Sequence, residues 1–220
     1  MLMSGSLTDL LKELQKIPTA SISDALDRLG VRGFMSNKIK PAFEFQRVAG
    51  PAVTIKQIPT HEREIPLRAL EAIDSAEPGS VIIVAVEGGS ADDIALWGGL
   101  MGLASKVRGV CAAVLDGGVR DLVEIREIGF PVFARSIVPS TSVGRMKVVG
   151  VNVPVSCGNV LVKPGDIIVG DWDGVVVIPL DRLSEVMEIA RQIDETERKE
   201  AEELRRGTPF TEVIKKFARV

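Results

Sequence analysis

Apolar positions change rhythm along the chain, and each rhythm predicts a different kind of element. Residues 7–16 predict a helix capped by Ser6 and ended by Ile17-Pro18. A second, short helix opens on Ser21-Ile22-Ser23-Asp24-Ala25-Leu26 and closes at Gly30. Ser21 followed three residues later by Asp24 is close to a capping box, so Asp24 has a structural role, with a place near a site as the alternative. Between 47 and 58, Gly50-Pro51 precedes the strand-like Ala52-Val53-Thr54-Ile55-Lys56.

From position 66 the rhythm becomes α/β. Residues 66–75 are amphipathic, with Leu67, Leu70 and Ile73 at helical spacing. After the Pro78-Gly79 turn, Val81-Ile82-Ile83-Val84-Ala85-Val86 is the continuous apolar run of a strand buried on both faces. A Gly-rich loop leads to a helix around 100–107, then a strand at 110–115, a helix at 120–128 and a strand at 131–134. Strands alternating with helices predict a parallel sheet with right-handed crossovers. Beyond 146 the texture is β, with short strands at 147–155, 159–162, 166–169 and 175–178 separated by Pro164-Gly165 and Asp173-Gly174 turns. Residues 180–206 then predict one long charged helix whose apolar positions end at Ile193. The polar stretch Glu195-Thr196-Glu197-Arg198-Lys199-Glu200 is either a solvated helix end or an arm lying on a neighbouring subunit.

Composition narrows the chemistry. The 220 residues are 45% hydrophobic with a net charge of −3, and Lys and Arg form no basic stripe, so nucleic acid is not an expected partner. No basic n-region precedes an apolar run and no stretch of about 18 apolar residues occurs, which predicts a cytoplasmic protein without a membrane partner. Cys111 and Cys157 lie outside any C-x-x-C pattern and read as small buried hydrophobes. His61 is the only histidine, placed in a loop after Pro59, so His-rich metal sites and Ser-His-Asp catalysis are hard to assemble. Lys56 and Lys106 sit at no evident strand end beside a desolvating pocket, which argues against Schiff-base chemistry. Asp171-Trp172-Asp173-Gly174 lacks EF-hand spacing and reads as a hairpin turn.

Ligands of open parallel sheets bind at the carboxyl ends of strands, where loops lead into helix N-termini. Two such junctions stand out. At Gly98-Gly99-Leu100-Met101-Gly102, glycines inside a helix would each cost roughly 1 kcal/mol relative to Ala, so a helix starts near them. That start leaves the N–H groups of Gly99, Leu100 and Met101 free for a carboxylate or phosphate. At Asp116-Gly117-Gly118-Val119-Arg120-Asp121, a buried strand ends, a Gly-Gly turn follows and a helix begins. Asp121 there reads either as a cap complementing the helix dipole or as a hard oxygen ligand for Mg2+ or Mn2+. Arg120 reads either as a surface ion-pair partner or as a planar fork for a substrate carboxylate. Together the two could hold the ends of one 2-oxo acid.

These residues resemble the RraA-like family, which includes the class II 4-hydroxy-4-methyl-2-oxoglutarate aldolases. The family's motif is Gly or an acidic residue, twenty residues, Arg-Asp, two residues, and Glu or Asp. Here Gly99 precedes Arg120 by 21 positions, and Asp121 and Glu124 complete it. Ser23-Asp24-Ala25-Leu26, Gly50-Pro51-Ala52-Val53-Thr54, Gly129-Phe130-Pro131-Val132-Phe133 and Pro164-Gly165-Asp166 through Asp171-Trp172-Asp173-Gly174-Val175 extend the likeness over most of the chain.

The resemblance implies an α/β protein of the swivelling β/β/α type. One domain would span residues 1–220, with a partly parallel sheet and a C-terminal helical arm at about 180–206. It implies a homotrimer or homohexamer with sites between subunits. In such a site Asp121 holds Mg2+ or Mn2+, and Arg120 with the amides at Gly99, Leu100 and Met101 holds a pyruvate-like acid. In the aldolases a Glu from the neighbour's C-terminal helix contacts metal-bound water, and counting back from Leu204 and Gly207 makes Glu197 its match here. The implied activity is cleavage or decarboxylation of a small 2-oxo acid through a pyruvate enolate, with Arg120, Asp121 and Glu197 as catalytic residues. The alternative is a non-catalytic, RraA-like regulator of a ribonuclease. The characterised aldolases carry an acidic residue where this chain has Gly99, and Asp92 and Asp93 are the candidates to replace it.

Overall fold

The computed structural model describes residues 6–217. Helix α1 (Leu7–Leu14) starts as expected, with the Ser6 hydroxyl accepting from the Asp9 N–H. Helix α2 (Thr19–Arg28) begins earlier than the capping-box reading of Ser21 and Asp24 requires. Pro18 stands before its first turn, and Ser21 is buried inside the helix. The Thr19 N–H at that start donates to Asp171 Oδ2 at 3.0 Å, so a residue distant in sequence, and not the Ser21–Asp24 pair, serves the helix terminus.

After the two-residue strand β1 (Lys40–Pro41) come β2 (Val48–Pro59), α3 (Leu67–Asp74) and β3 (Val81–Val86). Next are β4 (Ala91–Trp97), α4 (Gly99–Val107), β5 (Ala112–Leu115), β6 (Gly117–Val119), α5 (Leu122–Glu127), β7 (Val132–Ala134) and β8 (Ser136–Ile137). The β-rich part supplies β9 (Met146–Val151), β10 (Val155–Cys157), β11 (Val160–Val162), β12 (Ile167–Gly170) and β13 (Val175–Ile178). Helices α6 (Leu183–Arg205) and α7 (Phe210–Phe217) end the described chain.

The main sheet runs β1-β7-β5-β3-β2-β12-β13, with β9 also on β2. Its centre, β7-β5-β3-β2, is parallel, and β1, β9, β12 and β13 join antiparallel. Strand β3 is buried at every position, as its unbroken apolar run predicts. Ile82, Val84 and Val86 face the core beneath α3 and α5, while Val81, Ile83 and Ala85 face the core closed by the β10–β11 hairpin. A third core joins α1, α2 and α6 to β12 and β13.

The Gly-Gly turn expected after β5 is a strand. The chain bends at Asp116, and β6 leaves the main sheet to lie parallel between β4 and β8. Gly117 and Gly118 are needed for that approach and not for a turn. A Cβ on Gly117 would meet Leu96 Cδ1 at 2.7 Å, and one on Gly118 would meet Val138 Cγ2 at 2.5 Å. Helix α5 consequently starts at Leu122, two residues later than predicted.

The polar end of α6 is not simply solvated. Helix α7 packs on it, Lys216 pairs with Glu203 at 3.1 Å, and Glu200 is buried. The 210–217 segment carries Phe210, Val213 and Phe217 at helical spacing, the signal by which this helix could have been read. No helix among the described residues is long and apolar enough to cross a membrane.

Candidate functional site

The parallel pair β4–β6 brings both glycine junctions together. The Arg120 N–H donates to the Trp97 carbonyl at 3.0 Å, so the residues after β6 lie beside those that open α4. Asp121 adopts the left-handed conformation (φ 57, ψ 41) that Asp tolerates better than most residues. Although it occupies the N-cap position of α5, its side chain makes no capping hydrogen bond there. Its Oδ2 instead accepts from the Gly99 N–H at 2.9 Å, at the start of α4. The Gly99 amide, expected to be free for a ligand, therefore holds Asp121, while Leu100 and Met101 line the adjoining cavity. Arg120 Nε lies 3.5 Å from the same carboxylate oxygen, and both side chains are about two-fifths exposed, at 41% each.

Both glycines are packed against this pair. A Cβ on Gly98 would come within 2.9 Å of Asp121 Oδ2 and 3.2 Å of Arg120 Nε. One on Gly99 would lie 3.3 Å from Asp121 Cβ and 3.6 Å from Glu124 Cβ. Position 99 is thus where an added side chain would stand between Asp121 and Glu124.

Arg120 and Asp121 line a cavity of about 560 Å³. Ile65, Leu70 and Ile73 wall one side, Met101 and Ala104 the other, and Trp97 and Val143 also line it. Trp97 is fixed by stacking on Phe130, with centroids 6.0 Å apart and planes 10° apart. The walls at Leu70, Ile73 and Val143 come from α3 and the 141–143 segment, which nothing in the sequence connects to the motif.

Four sequence candidates, Asp116, Asp92, Asp93 and Glu197, fall elsewhere. Asp116, in the same motif as Asp121, points to another place. It is buried, accepts from the Gly158 N–H at 2.8 Å and pairs with Arg135 Nη1 at 3.1 Å. Burial pushes its carboxyl above the usual range, and Gly158 and Arg135 offset only part of that. Asp92 binds Arg135 too, which holds its pKa down, so it belongs to this second cluster. Asp93 is exposed on β4, and neither Asp92 nor Asp93 is among the described residues lining the Arg120–Asp121 cavity. Asp116, Arg135 and Lys56 instead border a separate cavity of about 670 Å³ at the carboxyl ends of β2, β3, β5 and β7. Lys56 lies 3.6 Å from Glu87 there, and Lys106 donates to the Gly129 carbonyl.

Glu197 lies on α6, half-buried, with the Ser21 hydroxyl 3.5 Å from its Oε2. It does not line the Arg120–Asp121 cavity of its own chain. The remaining sequence readings place simply. Asp171 and Gly174 close the β12–β13 hairpin turn, His61 is an exposed loop residue, and both cysteines are free thiols. Burial pushes the Cys111 thiol up to about 12, so it is inert at neutral pH.

A family model described as RraA-like, Aldolase/RraA, matches residues 19–177. An uncharacterized protein of Methanocaldococcus jannaschii is 40% identical over 81% of this chain and 83% of its own length. A Halalkalibacterium halodurans protein named "Putative 4-hydroxy-4-methyl-2-oxoglutarate aldolase" is 37% identical over 90% of this chain and 91% of its own. Among solved structures, Streptomyces coelicolor RraAS2 is described as an unusual member of the RNase ES inhibitor RraA protein family. It superposes with a TM-score of 0.78 at 27% identity, covering 90% of this chain and 98% of its own.

Proposed function

The chain belongs to the RraA-like family, and on that footing we propose that it is a divalent-metal-dependent carbon–carbon lyase acting on a small 2-oxo acid. One observation carries the reading. Arg120, Asp121 and the N-terminus of α4 converge at the mouth of a largely apolar cavity, where an anion-binding fork and a half-exposed carboxylate stand at contact distance.

The donor set fits a hydrated hard cation. Among the described residues no three His, Cys, Asp or Glu side chains gather as a metal cage. Mg2+ keeps several waters and needs only one or two carboxylates. Asp121 would hold Mg2+ or Mn2+, with Glu124 close by, and the ion would supply Lewis-acid stabilisation of charge developing on the substrate's keto oxygen.

The protein's own residues do the rest. The guanidinium of Arg120 takes the substrate carboxylate through charge-assisted hydrogen bonds. The first-turn amides of α4 at Leu100 and Met101 face the same end of the cavity, where the helix dipole favours negative charge. The hydrogen bond from Gly99 fixes the Asp121 carboxylate, so the site is oriented before substrate arrives. As the substrate's C–C bond breaks, Arg120 stabilises the pyruvate enolate electrostatically beside the apolar lining of Trp97, Met101 and Val143. Glu197 could join this site only from a neighbouring copy, which makes a homotrimer or homohexamer the assembly that goes with the proposal.

A crystal soaked with pyruvate and Mg2+ tests the site. Density for both between Arg120 and Asp121 is expected, and its absence at saturating concentrations contradicts the reading. The Streptomyces relative's description favours a second reading, a non-catalytic regulator of a ribonuclease. A regulator would turn over oxaloacetate neither with Mg2+ nor after EDTA.

A further inference from the structure

The cavity that begins at Arg120 and Asp121 extends past what the three-carbon head of a 2-oxo acid fills. Helices α3 and α4 run side by side in one direction, each leading into a strand of the parallel sheet. Their C-terminal ends are tied by Arg108, the C-cap of α4, to Asp74, the last residue of α3, at 3.1 Å. The reactive groups stand at the opposite end, where the Gly99 amide holds Asp121. A trough therefore leads from the start of α4 to Asp74, roughly 12 Å along the eight residues of α3 at about 1.5 Å each.

The walls of that trough are mostly apolar, from Leu70, Ile73, Trp97, Met101, Ala104 and Val143, with Thr141 and Ser142 as uncharged polar lining. Arg120 is the one cation among the described residues lining it, and Asp74 at the far end is already paired with Arg108. With Arg120 engaged at the head, a second carboxylate further along a substrate would lose its hydration against hydrocarbon and meet no second cation among the described lining residues. An alkyl chain in the same place gains from leaving water.

We infer that the substrate is a 4-hydroxy-2-oxo acid bearing an uncharged aliphatic chain on C4, and that cleavage releases pyruvate and an aliphatic aldehyde. This rests on the lyase reading and adds the substrate class. The C3–C4 bond breaks and its electron pair passes to the pyruvate enolate. The C4 hydroxyl loses its proton to water and becomes the aldehyde carbonyl, and the enolate takes a proton at C3. The cleavage is redox-neutral and needs no co-reactant. The other possible occupant of the trough is a segment of a neighbouring copy, which would leave no room for a chain.

The full chain with Mg2+ is assayed by pyruvate release on 4-hydroxy-2-oxo acids with methyl, propyl and hexyl groups on C4, and on 4-hydroxy-2-oxoglutarate. Metal-dependent oxaloacetate decarboxylation is measured alongside. Lengthening the chain is expected to raise kcat/KM by about fourfold per methylene until the trough is filled. The dicarboxylate is expected at least about tenfold below the propyl compound. Leu70→Arg, which adds a cation to the wall, should shift that ratio toward the dicarboxylate by about tenfold. A flat response to chain length, a preference for the dicarboxylate, or an unmoved ratio in Leu70→Arg overturns the inference. Intact oxaloacetate turnover in that case leaves the lyase reading standing, whereas loss of all turnover removes both.

Discussion

The Gly99 amide and the Asp121 carboxylate are joined by a 2.9 Å hydrogen bond that spans 22 positions of sequence. It ties the first residue of one helix to the residue preceding another, and it uses a side chain that would ordinarily cap its own helix. Asp121 pays no part of the α5 capping requirement and sits at φ 57, where an L-residue is strained. Its carboxylate instead takes the first amide of α4 and stands beside Arg120.

Asp121→Gly should therefore separate stability from activity. Glycine adopts the left-handed conformation freely, which offsets the lost hydrogen bond, so unfolding free energy should change by less than about 1 kcal/mol. Metal-dependent turnover should fall by at least about a hundredfold. Thermal unfolding beside an activity assay checks both, and a collapse of the melting temperature would make Asp121 a scaffold residue.

The two neighbouring glycines should respond unequally. Alanine at 98 puts a Cβ 2.9 Å from Asp121 Oδ2 and 3.2 Å from Arg120 Nε, and both are ends of side chains that can swing away. Gly98→Ala should leave folding intact and lower kcat/KM by about ten- to a hundredfold through misplacement. Alanine at 99 meets nothing nearer than 3.3 Å, so Gly99→Ala should cost less than Gly98→Ala. Equal losses would show that position, and not the pair's placement, matters.

Gly99→Asp adds a carboxylate between Asp121 and Glu124, whose Cβ is 3.6 Å from the added Cβ. Mg2+ affinity by titration calorimetry should rise by about tenfold or more. Without the ion, like charges should lower the melting temperature, and Mg2+ should restore it. No gain in affinity would place the ion elsewhere.

Acid stability should depend on Asp171. Burial alone would raise its pKa, but Thr19, the Asp173 N–H and Arg47 hydrogen-bond the carboxylate and hold it below the usual range. A depressed folded pKa contributes stability that is present above the unfolded value of about 3.9 and lost as pH falls through the folded one. Asp171→Asn should cost about 2–4 kcal/mol at pH 7 and much less near pH 2. Urea unfolding at the two pH values reads the difference, and equal costs would refute it.

Much of this fold was legible because periodicity reports burial. The run at 81–86 became the strand buried on both faces, and the strand–helix alternation became the parallel sheet. What was missed depends on contacts distant in sequence. Gly117-Gly118 carries the residues of a turn yet is a strand, because its glycines answer to Leu96 and Val138. Asp116 reads as part of the Arg120–Asp121 motif, but the strand's departure at this residue sends its side chain to Gly158 and Arg135. Arg120 and Asp121 are singled out as candidates by residue chemistry and a family resemblance. The walls at Leu70, Ile73 and Val143 carry no motif and became visible only once α3 packed beside α4.

The central claim, a metal-dependent lyase site at Arg120 and Asp121, is tested most directly by oxaloacetate decarboxylation. The purified full chain and Asp121→Ala are compared with Mg2+ and after EDTA. The predicted result is turnover by the parent chain with Mg2+, abolished by EDTA and absent from a folded Asp121→Ala. Full metal-dependent turnover by Asp121→Ala, or none by the parent chain with Mg2+, would contradict it.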